Sequence, residues 1–210
     1  MAYPARTAYR ASSDVADYEA VRFGGLLGRY RWRREQLGIA CILSFLPSDL
    51  SVLDCPCGTG RWLPPLSSIA SSMCAADISP TMLQAARVRE LGSAAVDFVE
   101  AEAEHLPFSD RAFDLVFSHA LTKHLPPPVQ HEVLSEFGRV SRQWVVCSFS
   151  IAGPLVFSTW RRRRLVAPIT LERLDDMASG CGLERVRMRR CTSPIGVEHS
   201  VLFRRKDAEE

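Results

Sequence analysis

Residues 52–60 constrain the fold of this chain more than any other part of its sequence. The apolar first half of the segment ends at Asp54, and the turn that follows reads Cys-Pro-Cys-Gly-Thr-Gly. A second apolar run, residues 73–76, ends in another acid, Asp77. A strand, a glycine turn, a helix and a second strand that ends in a carboxylate make a nucleoside-binding βαβ unit. At Gly58 and Gly60 a Cβ would hold the ligand away from the backbone.

The residues around the turn favour a cationic nucleoside over a dinucleotide. A dinucleotide-binding turn reads G-x-G-x-x-G, and its third glycine lets the helix pack closely on its strand. Leu63 stands at that third position here. The carboxylate of Asp54 would also repel a pyrophosphate and attract an ammonium group. S-adenosylmethionine (SAM), which has an ammonium group and no phosphate, fits both observations. A nicotinamide-dependent oxidoreductase remains the alternative.

Two further segments follow in an order that is known from an enzyme family. Residues 98–108 come after a third apolar run and precede a fourth, residues 113–118. Together with the glycine turn and residues 77–83, they resemble the class I SAM-dependent methyltransferases. The similarity is to the small-molecule branch that includes the ubiquinone and menaquinone methylases. It runs from about Asp17 to Phe149, and more faintly to Phe203.

The resemblance implies an α/β fold in a single domain, with a Rossmann-like, mostly parallel seven-stranded sheet and helices on both faces. Strands that alternate with helices along the sequence favour the same architecture. The resemblance also implies SAM as cofactor, S-adenosylhomocysteine as product, and in-line methyl transfer to a small-molecule acceptor. Whether the acceptor atom is O, C or N stays open. The alternative is a catalytically silent domain of this fold that binds the cofactor or a partner protein.

Carried over position by position, the resemblance assigns the cofactor to four segments. Asp54 would hold the methionine amino group, Asp77 the ribose hydroxyls, and Glu102 the adenine amino group. Two positions depart from the family pattern, because Pro56 replaces the usual Gly and Glu102 replaces the usual Asp. The expected cofactor-binding residues are Asp54, Cys55, Pro56, Cys57, Gly58, Gly60, Asp77, Ile78, Met82, Glu102, Ala103, Glu104 and Ser118.

The acceptor is expected beyond the carboxyl ends of the strands, because ligands of open α/β sheets bind there. The loop that follows the fourth strand, residues 118–124, contains His119 and His124. Either is a candidate general base if the acceptor is a hydroxyl, and transfer without a dedicated base is the alternative. Further walls are expected from N-terminal helices and from an insert at 151–169. The candidate substrate-binding residues are Arg29, Thr122, Trp160 and Arg161.

Composition indicates one cytoplasmic domain. A chain of 210 residues that is 47% hydrophobic can bury a sizeable core. Residues 1–13 are expected to form a flexible arm ahead of a domain at 14–210 with an N-terminal helical cap. No apolar run reaches the ~18 residues that a transmembrane helix needs, and the first ten residues lack the apolar core of a signal peptide. The seven cysteines have no metal-site spacing, so we expect reduced thiols and no metal.

The basic residues do not point to nucleic acid. Arginine supplies all but two of the 26 basic residues, yet the formal net charge is only +2. The residues after the fourth strand, Ser-His-Ala-Leu, also differ from the acid-or-Asn-Pro-Pro-aromatic motif of enzymes that methylate base amines. Two arginine clusters, residues 29–34 and 160–164, include tryptophan and can bind a carboxylate, a phosphate or an anionic membrane surface. A lipid-like or acidic substrate and peripheral membrane contact therefore stay open, alongside a simply solvated face.

Local signals predict several element boundaries. Ser79 and Pro80 should begin a helix that Gly92 ends. The triple proline at 126–128 should begin another, with Val129, Val133, Phe137 and Val140 on one face. A buried strand is expected at 144–149, a helix at 171–181, and final strands near 186–188 and 197–203. The pattern over 14–46 is helical, with a break at 24–25.

Overall fold

The structure, a computed structural model, describes residues 25–89, 95–152, 168–191 and 198–208. Its strands are β1 (Leu50–Asp54), β2 (Ala70–Asp77), β3 (Val96–Glu100), β4 (Phe113–Ser118), β5 (Ser141–Ser150), β6 (Leu183–Arg190) and β7 (Glu198–Arg205). They form one sheet in the order β3-β2-β1-β4-β5-β7-β6. The strands from β3 through β5 pair in parallel, whereas β7 is antiparallel to both β5 and β6. The predicted Rossmann-like, mostly parallel seven-stranded sheet is confirmed.

The described helices are α1 (Gly25–Leu43), α2 (Leu63–Ser67), α3 (Pro80–Arg87), α4 (Pro127–Val140) and α5 (Leu171–Gly180), and a 3₁₀ turn covers Thr122–His124. Ser79 caps α3 as predicted, because its hydroxyl accepts a hydrogen bond from the Met82 amide at 3.4 Å. That helix ends at Arg87, and Gly92 lies outside the described residues. So do residues 1–13 and most of the expected insert, including Trp160 and Arg161.

Helices cover both faces of the sheet, and strand alternation decides which side chains each helix meets. Leu115 and Phe117 of β4 pack with Ile39 and Ile42 of α1 in one apolar cluster. Val116, between them in the sequence, joins the cluster on the opposite face that contains α4 and α5. The α4 stripe predicted from the sequence, Val129, Val133, Phe137 and Val140, is buried there. In the part of the chain that the structure describes, no helix combines the length and apolar character needed to cross a membrane.

The glycine turn after β1 packs directly on α3. Gly60 has a φ of +76°, and a Cβ built on it would lie 3.0 Å from the Cβ of Ala86. Gly58 has a φ of +54°, but a Cβ there would meet no atom of the described residues within 4 Å. Gly60 is therefore needed for backbone conformation and for helix packing, whereas Gly58 faces open space on the side where a ligand would approach.

We expect Gly60→Ala to lower the free energy of unfolding by about 2–4 kcal/mol, from the left-handed backbone and the overlap with Ala86. Gly58→Ala is the matched control, because it carries the backbone cost alone, roughly 1–2 kcal/mol. Urea unfolding followed by circular dichroism measures both. Equal losses of unfolding free energy in the two variants would show that overlap with Ala86 does not add to the destabilisation by Gly60→Ala.

Candidate active site

Three parallel strands bring polar residues to one edge of the sheet. Asp54, Asp77 and Ser118 are the last residues of β1, β2 and β4, which are neighbours in the order β2-β1-β4. All three are buried, with Asp54 fully inaccessible to solvent. The carboxyl ends of parallel strands are where open α/β sheets bind ligands. The sequence-predicted residues after β1, β2 and β4 are thus brought together as expected from the order of the motifs.

The carboxylate of Asp54 is buried without a partner. Among the described residues, neither of its oxygens receives a hydrogen bond. Burial raises its pKa well above the usual value, Asp77 raises it further, and Arg61 lowers it in part. A buried, unpaired acid is costly, and a cationic ligand would relieve that cost by pairing with it. The site is thus suited to an ammonium group and unsuited to a phosphate.

Asp77 links the glycine turn to the start of α3. One carboxylate oxygen accepts a hydrogen bond from the Gly58 amide at 2.8 Å, and the other from the Ser79 amide at 2.9 Å. Burial raises its pKa, and these backbone hydrogen bonds oppose the shift in part. The Ile78 amide also contributes to this opposing effect. An ionised carboxylate has about four acceptor positions, so these backbone amides leave part of its capacity for a ligand hydroxyl.

The turn itself is held by backbone hydrogen bonds. The Cys57 amide donates to the Ala76 carbonyl of β2 at 2.9 Å, and the Gly60 amide donates to Cys57 at 2.9 Å. The Cys55–Pro56 peptide bond is cis. Burial raises the pKa of both thiols, at Cys55 and Cys57. Both therefore stay protonated at neutral pH and add no charge beside Asp54.

A cleft of about 280 Å³ opens beyond the ends of β2 and β3. Its lining includes Ile78, Ala101 and Glu102, which places two expected adenine-binding residues on its wall. Ala103 and Met82 are buried. The Ala101 amide donates to the Asp77 carbonyl at 3.1 Å, which ties this wall to the end of β2.

The loop that forms one side of the cleft is clamped onto α4 by two side chains. Glu136 accepts a hydrogen bond from the Leu106 amide at 2.7 Å. Arg139 donates to the Leu106 and Phe108 carbonyls at 3.1 and 2.8 Å, and pairs with Glu136 itself. The Arg139 hydrogen bond holds the pKa of Glu136 below its usual value. The clamp sets the loop position, and it was not predicted from the sequence.

The loop after β4 is fixed to β5. The Ala120 amide donates to the Ser148 hydroxyl at 2.7 Å, and the Thr122 hydroxyl donates to the Ser148 carbonyl. Ser118 lies beside the Cys147 thiol, and this contact opposes the effect of burial, which raises the Cys147 pKa to about 12. Thr122, a candidate substrate-binding residue, is buried, and its hydroxyl holds this loop against β5.

The two histidines of this loop have different surroundings. His119 is buried, and its ring meets the Trp62 ring edge-on at a centroid distance of 4.9 Å. Its Nε2 lies 3.7 Å from Oε2 of Glu35 on α1. His124 is the last residue of the 3₁₀ turn and is partly exposed. Arg29, also on α1, is exposed to solvent.

Sequence reasoning missed three charged residues near this edge. Glu35 is buried on the inner face of α1, and Lys123 pairs with Glu198 at 2.8 Å, both largely buried. Glu35 precedes Ile39 and Ile42 by four and seven residues, so an acid on the apolar stripe was the available signal. The Lys123–Glu198 pair joins residues that are far apart in the sequence, and no local pattern marks it.

We expect Asp54→Asn to stabilise the protein without ligand. Because the folded state raises the pKa of Asp54, it binds that proton more tightly than the unfolded state does. The free energy of unfolding therefore falls as pH rises from about 4, the usual pKa of an Asp side chain, through the raised pKa of Asp54. At pH 7.5 the melting temperature of the variant should rise by roughly 2–4 °C for each kcal/mol that the substitution adds to the free energy of unfolding. The variant should also bind cationic ligands poorly.

Asp114→Asn is the control for that measurement. Burial raises the Asp114 pKa, but hydrogen bonds from Ser51 and Arg142 outweigh it, and the net pKa is below the usual value. Its carboxylate therefore stabilises the folded state above the usual pKa, and its loss should lower the melting temperature. Scanning calorimetry at pH 5 and 7.5 compares the two variants. A fall in melting temperature for Asp54→Asn at pH 7.5 would contradict the idea of an unpaired buried charge.

Comparison with known proteins finds similarity to methyltransferases. Residues 52–143 match the family described as "Methyltransferase domain". Demethylmenaquinone methyltransferase of Mycobacterium sp. (strain JLS) is 35% identical over 145 residues, which is 67% of this chain and 58% of the relative. The chain thus corresponds to little more than half the length of that relative.

Solved structures share the fold at low sequence identity. Magnesium protoporphyrin IX methyltransferase from Synechocystis PCC 6803 with bound S-adenosylhomocysteine superposes with a TM-score of 0.74 at 14% identity, over 96% of this chain and 97% of that one. The 1,6-didemethyltoxoflavin-N1-methyltransferase of Burkholderia thailandensis superposes with a TM-score of 0.69 at 18% identity, over 99% and 92%.

Proposed function

The chain belongs to the class I SAM-dependent methyltransferase family, and we propose that it transfers a methyl group from SAM to a small-molecule acceptor. The observation that carries the proposal is the buried and unpartnered carboxylate of Asp54 beside the glycine turn. SAM carries an ammonium and a sulfonium group, and its one carboxylate leaves a net positive charge. It therefore suits a site with two buried acids better than a dinucleotide does.

The described residues fit the three parts of this cofactor. Asp54 would hold the methionine ammonium, and Asp77 would accept the two ribose hydroxyls while keeping its hydrogen bonds to Gly58 and Ser79. The adenine would occupy the cleft lined by Ile78 and Glu102. Bound there, SAM supplies a methyl group already activated by the sulfonium. The protein's own contribution is orientation, which is worth several kcal/mol in bimolecular reactions.

We propose an aromatic or lipid-like acceptor. Trp32, Trp62 and His119 form an aromatic cluster beside the end of β4, in which the Trp62 ring contacts the other two at tilted or edge-on angles and centroid distances of 4.9 Å. Such a wall suits a flat apolar molecule. The named relatives act on demethylmenaquinone, and a structural neighbour was solved with bound 1,6-didemethyltoxoflavin. Both names point to ring compounds.

Helix α1 would supply peripheral contact with a membrane that holds such an acceptor. Its outer face exposes Leu26, Tyr30 and Leu37, with Arg29 and Arg33 exposed among them. Apolar side chains flanked by arginines are typical of surfaces that bind anionic lipid.

We also propose a cytoplasmic location, because all seven cysteines are free thiols, as expected in a reducing compartment.

Calorimetric titration with S-adenosylhomocysteine tests the cofactor assignment, with NADH titrated in parallel. We expect the homocysteine compound to bind and NADH to give no heat. Asp77→Asn should weaken binding by a factor of ten or more, because about 1.4 kcal/mol corresponds to tenfold, and Asp114→Asn should leave it unchanged. Binding of NADH alone would assign the site to an oxidoreductase. Binding of neither ligand would contradict the proposal.

A methylation assay with radiolabelled SAM tests the acceptor class. Demethylmenaquinone is supplied in chemically reduced form, because the attacking atom must provide an electron pair, and 1,6-didemethyltoxoflavin is tested beside it. We expect turnover of the quinol, faster from anionic than from neutral vesicles because of the arginines on α1. Equal rates from both vesicle types would contradict the membrane contact. Tight homocysteine binding with no turnover of either compound would favour the catalytically silent alternative.

A further inference from the structure

We propose that Glu35 is a positioning residue, which orients His119 so that this histidine takes the proton from the methyl acceptor. The inference rests on the proposed function. It concerns His119, because a buried carboxylate, that of Glu35, lies 3.7 Å from Nε2 of this histidine.

Strand alternation places the pair on one face of the sheet. Leu115 and Phe117 point toward α1, so His119, two residues further on, continues the same row just past the end of β4. Glu35 lies on the inner face of α1, in line with Ile39 and Ile42. The fold therefore brings together an acid and an imidazole that are far apart in the sequence, at the sheet edge where the acceptor is expected.

Burial of the Glu35 carboxylate lowers the stability of the folded protein, and a role in packing alone does not explain why an acid is present there. The Glu35 side chain is 10% exposed and that of His119 is 2% exposed. Among the described residues, Oε2 of Glu35 has no hydrogen-bond partner, and it lies 3.7 Å from Nε2 of His119, slightly beyond hydrogen-bond distance. Distances of this kind shorten in many enzymes when substrate binds. An apolar residue at position 35 would pack in the same cluster without the cost of burying a charge.

The geometry assigns separate roles to the two ring nitrogens. Nε2 faces Glu35 and would carry the hydrogen, since a carboxylate accepts and does not donate. Nδ1 is then the acceptor, and it is buried without a partner among the described residues. The Trp62 ring edge packs against the imidazole and restricts its rotation. Among the described residues, Cys191 is close enough for Glu35 to help burial raise the pKa of its thiol, and Arg61 lies over the ring of Trp32.

The proton balance of the reaction is complete with these groups. The acceptor's hydrogen passes to Nδ1 of His119, and the electron pair released on the acceptor forms the new bond to the methyl carbon. The bond between that carbon and sulfur breaks with its electrons on sulfur, so the sulfonium becomes a thioether. The imidazolium is stabilised by the carboxylate of Glu35 until it returns the proton to water.

Nuclear magnetic resonance of protein labelled with ¹⁵N-histidine tests the pair without any acceptor. With S-adenosylhomocysteine present, we expect an Nε2–H proton of His119 that is shifted far downfield and protected from exchange. Glu35→Leu should abolish this signal while leaving the melting temperature unchanged or higher. Glu35→Gln should retain part of it, because its amide oxygen can still accept. His119→Gln assigns the signal, and His124→Gln should not affect it.

The outcomes separate this inference from the proposed function. Failure of S-adenosylhomocysteine to bind overturns the proposed function, and the inference with it. Normal binding without a protected His119 signal, or with a signal that survives Glu35→Leu, overturns the inference alone. For an acceptor that is turned over, His119→Gln should lower kcat by roughly 10²-fold or more. Glu35→Leu should also lower kcat, with the KM for SAM unchanged, and an unchanged kcat in either variant overturns the assigned role.

Discussion

The carboxylates of Asp54 and Asp77 are buried side by side because they end neighbouring parallel strands. Burial and the nearby Asp77 both make Asp54 difficult to ionise. Asp77 is supported by backbone amides, among them those of Gly58 and Ser79, whereas Asp54 has no donor among the described residues. The glycine turn, the cap of α3 and the cleft beyond β3 are all arranged around this pair. A positively charged nucleoside would pair with these acids, whereas an anionic one would be repelled by them.

The residues expected to bind the cofactor could be placed in the fold from the sequence, because they lie at the ends of strands and in turns with local signatures. The acid before the glycine turn, Ser79 as helix cap and the apolar stripe of α4 all depend on neighbours a few residues away. Their positions in the structure agree with those signatures. Parallel strand order then brings Asp54 and Asp77 together without further information.

Other features depend on contacts between distant segments, and the sequence carried little trace of them. The clamp of Glu136 and Arg139 on the loop at 106–108 spans two elements that only the folded sheet brings together. The same holds for Glu35 beside His119 and for Lys123 beside Glu198. Gly60 was expected to give room to the ligand, yet its missing Cβ also gives room to Ala86. Side chains that act through long-range pairing leave no periodic pattern for local reasoning to detect.

The reversed direction of β7 divides the site between two parts of the chain. Because β7 runs antiparallel to β5, its first residue, Glu198, lies beside Ser150 at the carboxyl end of β5 and binds Lys123. The residues expected to bind the cofactor lie between Asp54 and Ser118, whereas Glu198, beside the loop where the acceptor is expected, belongs to the last strand. Insertions between β6 and β7 could therefore alter acceptor choice while the cofactor half stays intact. A scaffold of this kind can acquire new substrates by changing one connection near its carboxyl end.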